Sequence, residues 1–357
     1  FYTSGTTGYP KGVMLSHANL VSNAYHILVS RLWQEEEVYL HACPMFHLAD
    51  GPTGHAITWL GGTHVVIPGF KPELALEVME RERVTATLLI PTMVNFLVNH
   101  PDVGKRDLRA LRNIAYGGSA MPVELARRAM QTLSCSFCQA YGLTETAPLL
   151  TLLPPEQHVA EGTPEQTQRL LSCGRAVMGV RVRVVNEQGQ EVQPGEVGEI
   201  IAKGPNIMCG YWNKPQETAE ALRDGWLYTG DLATVDTEGY IYIVDRKKDM
   251  IITGGENVFS TEVENALYTH AAVLEAAAVG VPDEQWGEAI KAIVVLRPGS
   301  TATEEEIIEH CRARIANFKI PRSVDFHEGA LPKSGSGKIL KRELRERYWA
   351  GHERRVH

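Results

Sequence analysis

Five stretches of this sequence gather residue types that handle phosphate, carboxylate and ribose. The first lies at the start. Thr3, Ser4, Thr6 and Thr7 stand among Gly5, Gly8 and Gly12, with the cation of Lys11 and, after the loop, Ser16. Backbone N–H groups, hydroxyl donors and one mobile cation in a short loop are what a polyphosphate needs. It is not a Walker A loop, because Lys11 precedes Gly12 and Val13 rather than Ser or Thr. In the second stretch, residues 139–145, Glu145 is a hard oxygen ligand suited to Mg2+ and Thr144 adds a hydroxyl. The same stretch also reads as a helix start with Thr144 as its cap. The third, residues 228–231, ends in Asp231, a carboxylate after a glycine turn that can accept both hydroxyls of a ribose, or an ordinary turn Asp. The fourth, residues 245–257, runs from a charged Asp-Arg-Lys-Lys-Asp pivot to the Gly254-Gly255 pair. The fifth, residues 332–338, is a Gly/Ser-rich loop that delivers Lys338, or a flexible basic linker.

The elements that must position these residues change character along the chain. Up to about residue 170, short apolar runs (38–43, 63–67, 86–90, 113–116) alternate with amphipathic stretches. Ser16 caps a helix through Ile27, and Pro122 opens another at its first turn. This alternation predicts a mainly parallel sheet with helices on both faces. After about residue 172, residues 180–185 alternate strictly, residues 186–189 turn, and residues 199–202 and 240–244 give further short strands. That pattern predicts an antiparallel, barrel-like subdomain. Beyond the pivot lies a compact α+β module. Its helix starts near Ser260 or Thr261, its strands are 273–281 and 289–296, and a helix follows at 303–315. The expected division is an α/β part over 1–172, the barrel-like part over 173–246 and a C-terminal module over 249–357, with the boundary at 246–249.

The 357 residues suffice for two or three domains with a sizeable core, and the net charge of −8 argues against non-specific nucleic-acid binding. The basic tail from Lys338 to Arg355 is interleaved with glutamates and reads as a solvated amphipathic helix. Of six cysteines only Cys135 and Cys138 have motif spacing, within what reads as a buried strand. Three apart on a strand they face opposite sides, so a shared metal is not expected. Reduced thiols in the cytosol fit this usage. No apolar run reaches the roughly 18 residues of a transmembrane helix.

Taken in order, the five motifs resemble the adenylate-forming superfamily over nearly the whole chain. Within it the chain is most similar to bacterial fatty-acyl-CoA synthetases, with aryl-CoA ligases close behind. The resemblance implies ATP and Mg2+ as cofactors and CoA as co-substrate. It places the β- and γ-phosphates in the loop from Thr3 to Gly12, with Lys11 beside them. Gly117, Gly118 and Ser119, with Tyr141 and Gly142, would frame adenine and the acyl carboxylate, while Thr144 and Glu145 serve the α-phosphate and Mg2+. Asp231 and Arg246 would bind the ribose, and Lys338 would bridge the substrate carboxylate and the α-phosphate. Lys248 occupies the hinge about which the C-terminal domain swings, bringing the Gly254-Gly255 face to a pantetheine tunnel. Trp286 matches a site where aryl-CoA ligases stack the CoA adenine, and packs equally well as core. His47, in Pro-Met-Phe-His, would border the acyl group. It replaces the Asp of amino-acid-activating relatives, which argues against an amino-acid substrate. Gly51 stands where some long-chain members carry an aromatic gate, so it either opens the tunnel or has no such role.

The resemblance implies an ATP-dependent acyl-CoA synthetase acting on a carboxylic acid, a fatty acid favoured. The alternatives are an aryl-CoA ligase, a domain that loads a carrier-protein thiol, and a non-catalytic nucleotide-binding protein on the same scaffold. Intact Lys11, Glu145, Asp231 and Lys338 count against the last. A homodimer is left open. Because the chain begins without Met on a strand that leads into the phosphate loop, it is expected to be part of a longer protein. On that expectation it lacks an N-terminal portion of the large domain, and is poorly soluble or weakly active alone.

Overall fold

A computed structural model describes residues 1–3, 10–118, 121–159, 161–334 and 337–351. The chain divides into two compact units: residues 1–229 with 233–243, and residues 230–232 with the chain from Val244 onward.

The first unit is built on a seven-stranded sheet. Its order is Thr63–Val66, Val38–His41, Ala86–Leu89, Asn113–Gly117, Ser136–Gly142, Leu149–Leu153 and Arg175–Ala176. The first five strands are parallel and the last two antiparallel. Four of the parallel strands match the four apolar runs expected from the sequence; Val38–His41, Ala86–Leu89 and Asn113–Gly117 are buried on both faces, while the edge strand Thr63–Val66 is largely exposed. Leu40, Ile114, Tyr116 and Phe137 enter one buried cluster, while Tyr39, Ala115 and Cys138 enter another. Successive residues of a strand thus serve opposite faces. Cys135 lies just before its strand and packs against the first cluster, away from Cys138. The strand itself begins at Ser136, one residue later than a strand holding both cysteines would require.

Ser16 caps the helix His17–Val29 with a full capping box, its hydroxyl accepting from the Asn19 N–H at 3.2 Å. Pro122 stands at the cap of the helix Val123–Leu133, one residue before the position expected for it. A second sheet runs Arg181–Val185, Gly198–Lys203, Trp226–Val235, Leu222–Arg223, with Ile241–Arg246 also paired to Trp226–Val235. Among the described residues this is an open sheet rather than the closed ring of a barrel.

The second unit holds a five-stranded sheet in the order Glu256–Val258, Ile251–Thr253, Gly287–Leu296, Val273–Asp283, with Ser323–Phe326 parallel to Gly287–Leu296. Helices Ser260–Tyr268 and Glu304–Arg312 share a buried cluster with Ala276, Ala278 and Ile290 on one face. The other face carries Ala277, Val279 and Ile293 against Leu344 of the helix Lys341–Trp349. The described part of the basic tail is the amphipathic helix Lys341–Trp349, with its outer face exposed and its inner face docked on the sheet. Leu344 is buried, the Trp349 indole donates to Gly280 O at 2.9 Å, and Lys341 enters an ion cluster.

Candidate active site

In the first unit a strand pair brackets the expected phosphate-binding residues. Tyr2–Thr3 runs antiparallel to Lys11–Met14, with Thr3 opposite Lys11. Ser4, Gly5, Thr6, Thr7 and Gly8 lie outside the described residues. The Lys11 strand also pairs with Gly210–Tyr211, placing Tyr211 opposite Val13. The Lys11 ammonium sits 4.9 Å from the centre of the Tyr211 ring, and the Tyr211 hydroxyl donates to Glu145 Oε1 at 2.8 Å. Burial, then the Glu145 carboxylate, push the Tyr211 phenol well above its ordinary range, so it stays neutral and keeps its proton to donate. Lys11, Tyr211 and Glu145 form one line, which joins two of the residues expected in the site. Tyr211 was not singled out from the sequence. Its stretch Gly-Tyr-Trp-Asn carries no motif chemistry, and only the strand pairing brings it here.

Glu145 belongs to a single 3-10 turn, Thr144–Thr146, directly after the Ser136–Gly142 strand, and its carbonyl accepts from the Met208 N–H at 2.8 Å. Leu143, not Thr144, takes the cap position of that turn, so Thr144 is not a helix cap. Gly117 and Gly142 end neighbouring parallel strands at one edge of the sheet, where ligands of open α/β folds bind. A Cβ on Gly117 would lie 2.4 Å from Ala140 O, and one on Gly142 would lie 1.6 Å from Pro148 O. Gly118 follows with φ +79°, and Ser119 is outside the described residues. Tyr141 sits opposite Thr151 and is half-buried.

His47 lies in the turn after the Val38–His41 strand, at that same edge. Its Nδ1 accepts from the Ala49 N–H at 3.1 Å, which leaves the proton on Nε2. Gly51 has a local reason. A Cβ there would lie 2.6 Å from Met45 O, so the turn requires glycine whatever the width of any tunnel.

In the second unit, Asp231 lies inside the Trp226–Val235 strand, not in a turn, and is buried. Arg246 ends the neighbouring strand with its Nε 3.6 Å from Asp231 Oδ1. Lys248 follows in the next turn, where its carbonyl accepts from Arg345 at 3.1 Å. Burial, then Arg246, lower its ammonium below the usual range. Gly254 and Gly255 form the two-residue turn between Ile251–Thr253 and Glu256–Val258, with φ +59° and +86°. Both values favour glycine in such a hairpin. Trp286 packs onto this turn: its carbonyl accepts from the Gly254 N–H at 2.9 Å, and a Cβ on Gly254 would lie 2.5 Å from its ring. The Arg322 guanidinium lies 4.9 Å from the same ring system. Trp286 is 37% exposed. The described residues around Lys338 are joined to one another by backbone contacts. Lys333 bridges Ile339, Ser334 N–H donates to Lys338 O at 2.8 Å, and Lys338 N–H donates to Ser334 Oγ at 3.2 Å.

Among the described residues no group of three or more His, Cys, Asp or Glu could hold a metal. A lone Glu145 carboxylate fits Mg2+ that arrives on the phosphates of a nucleotide, since Mg2+ commonly takes one or two carboxylates and substrate oxygens. No helix among the described residues is long and apolar enough to cross a membrane.

Residues 1–212 match the family described as AMP-binding enzyme, and residues 262–338 match the AMP-binding enzyme C-terminal domain. Feruloyl-CoA synthase of Amycolatopsis sp. is 44% identical, over 97% of this chain and 69% of its own. The medium/long-chain-fatty-acid–CoA ligase FadD8 of Mycobacterium tuberculosis is 40% identical, over 99% of this chain and 62% of its own. The o-succinylbenzoate CoA synthetase of Bacillus subtilis, solved in complex with ATP and magnesium, superimposes with a TM-score of 0.86 at 32% identity, over 96% of this chain and 69% of that one. The chain belongs to the AMP-binding enzyme family and is an AMP-forming acid–thiol ligase that works with ATP, Mg2+ and CoA.

Proposed function

We propose that this enzyme activates a monocarboxylic acid with an apolar body, a fatty acid in the first instance, and hands the acyl group to CoA. In the first step a carboxylate oxygen attacks the α-phosphorus, the bond to the β-phosphate oxygen breaks, and pyrophosphate leaves. In the second the CoA sulfur attacks the acyl carbon, the thiol proton is lost, and AMP leaves. Mg2+ on the nucleotide supplies charge neutralisation at the phosphates. Lys11 would orient the triphosphate, and Glu145, which accepts from the Tyr211 hydroxyl, would hold the metal. Asp231 accepts the ribose hydroxyls with Arg246 beside it. Lys338 stabilises the charge that develops at the α-phosphate. The observation that carries the reading is the Lys11–Tyr211–Glu145 line, which joins a phosphate-binding cation to a metal-binding carboxylate.

Feruloyl-CoA synthase, at 44% identity, brings hydroxycinnamates in as a second substrate class. The Arg322 and Trp286 pair beside the Gly254-Gly255 turn offers an aromatic face and a cation to the nucleotide end of CoA. The six free cysteines fit a cytoplasmic enzyme. A pyrophosphate-release screen from acetate to oleate, with benzoates and cinnamates, tests the proposal. Turnover with a fatty acid and CoA is expected. Pyrophosphate release that needs an acyl-carrier protein in place of CoA would overturn the assigned acceptor, and amino-acid turnover would overturn the role given to His47.

A further inference from the structure

Lys341 opens the helix Lys341–Trp349, three residues after Lys338. Its ammonium donates to Ser260 Oγ at 2.7 Å and meets Glu264 Oε1 at 2.7 Å, and its side chain is only 16% exposed. Ser260 passes the contact on, donating its N–H and its hydroxyl to Asp245 Oδ2, the hydroxyl at 2.7 Å. Asp245 Oδ1 accepts from the Arg246 N–H at 2.7 Å, and Arg246 is the partner of Asp231. One turn along the helix, Arg345 reaches the Lys248 carbonyl. The helix that carries Lys338 at its head is therefore tied twice to the segment holding the ribose pair and the hinge.

The charges show why the tie is specific. Burial alone would lower the Lys341 ammonium, and the Glu264 and Asp245 carboxylates outweigh it, so the cation is held. Burial raises both carboxylates, and this one cation counters it. An apolar side chain would pack here at less desolvation cost, so a buried ion cluster is a poor device for stability alone. It is a good device for register, because each link fixes a direction as well as a distance. Only Ile339 and Leu340 separate Lys341 from Lys338. The segment that leads into Lys341 is tied back on itself, with the Leu340 N–H on Pro332 O at 2.8 Å. A shift of the helix start is therefore passed to Lys338.

We propose that Lys341 is a positioning residue for adenylation, which through Ser260 and Asp245 holds the Lys338 hairpin in register with the Asp231–Arg246 pair. The proposal rests on the adenylating function argued above. Lys341→Met keeps the stem and removes the donor, and Lys341→Arg keeps the charge. Because Lys341→Met leaves two buried carboxylates without their cation and can unfold the module, Ser260→Ala, which keeps every charge, carries the same test. In the full chain, ATP–pyrophosphate exchange is compared with thioester formation from a synthetic acyl adenylate, alongside hydrogen exchange of the Ser334, Gly337, Lys338 and Leu340 amides. Adenylation should fall by up to about 10²-fold in Lys341→Met, the scale set by an ångström of misplacement, and less in Ser260→Ala. Thioester formation should change far less, the hairpin amides should exchange faster while those of Val273–Asp283 hold, and Lys341→Arg should recover part of the loss. An equal fall in both half-reactions, or hairpin amides that exchange as in the unsubstituted protein, would overturn the proposal. Absence of pyrophosphate exchange in the unsubstituted protein would refute the functional reading instead, and the amide exchange would still decide the tie.

Discussion

Tyr211→Phe is the sharpest test of the site in the first unit, because it removes one oxygen and leaves the ring. The hydroxyl donates to a carboxylate at 2.8 Å, and a hydrogen bond to a charged group contributes about 1.5–3 kcal/mol. The ring keeps its place 4.9 Å from the Lys11 ammonium, so the cation–π contact survives. Taking the lower end of that range, because water can replace the lost donor, kcat/KM for Mg-ATP should fall about tenfold, the equivalent of about 1.4 kcal/mol. Tyr211→Ala removes the ring as well and should cost a further factor of about three, from the 0.5–1 kcal/mol of an exposed cation–π pair. The assay is the initial rate of pyrophosphate release against Mg-ATP at saturating acid. The KM for the acid and the rate of thioester formation from synthetic adenylate should stay within about twofold, since neither uses the triphosphate. A Tyr211→Phe enzyme with unchanged kcat/KM for Mg-ATP would show that the hydroxyl does nothing for Glu145. A loss spread equally over both half-reactions, with a lowered Tm, would show that Tyr211 acts by packing.

Four further outcomes follow from the geometry. Lys338→Ala should lower adenylation about 10²- to 10³-fold, as loss of an oxyanion donor does, while thioester formation from synthetic adenylate survives; half-reaction rates measured separately decide it. Asp231→Ala should weaken ATP binding far more than acid binding, because two ribose hydroxyls lose a buried acceptor, and calorimetric titration of each ligand checks this. Gly51→Ala drives a Cβ to within 2.6 Å of Met45 O and should destabilise the fold by about 1–3 kcal/mol, read as a lowered denaturation midpoint. His158, held by burial down at about 4, binds fewer protons folded than unfolded. Stability from this group is present above about pH 6.5 and is lost as pH falls towards 4, by up to about 3 kcal/mol. Denaturant titrations at pH 7 and pH 5 should show that loss, and His158→Gln should flatten it.

The sequence made the inner parallel strands legible because burial on both faces leaves mostly apolar residues in each run, whereas the edge strand Thr63–Val66 is largely exposed and stood out only by its valines. Lys11, Glu145 and Asp231 stand out in the sequence as single charges among glycines, hydroxyls and apolar residues, and Lys338 as the lysine that ends a Gly/Ser run. Tyr211 was illegible for the opposite reason. It sits 66 positions from Glu145, and only a two-residue strand beside Lys11–Met14 brings them together. Lys341 was misread as part of a solvated basic tail, since composition counts charges and not the carboxylates that fold back onto them. Gly51 invited a reading about an acyl tunnel, yet a carbonyl six residues earlier in the same turn explains it. In each case the missing quantity was a distance between segments remote in sequence, or across a turn whose geometry the residue types leave open.

The glycines and the charges of the motifs carry different kinds of information. Gly117 and Gly142 are fixed by backbone atoms within 2.4 Å and 1.6 Å of where a side chain would begin, and Gly254 and Gly255 by positive φ. Any protein on this scaffold would need them, active or not. The charged residues are not fixed by such a backbone clash. The Lys11 ammonium could be lost without leaving a hole, and a buried Asp231 is a cost to folding unless a ligand or Arg246 compensates it. A scaffold that had ceased to catalyse would keep the glycines and shed these costs. This chain keeps Lys11, Glu145, Asp231, Arg246 and Lys338 together, and beside Lys338 it keeps the buried ion cluster of Lys341 and Glu264.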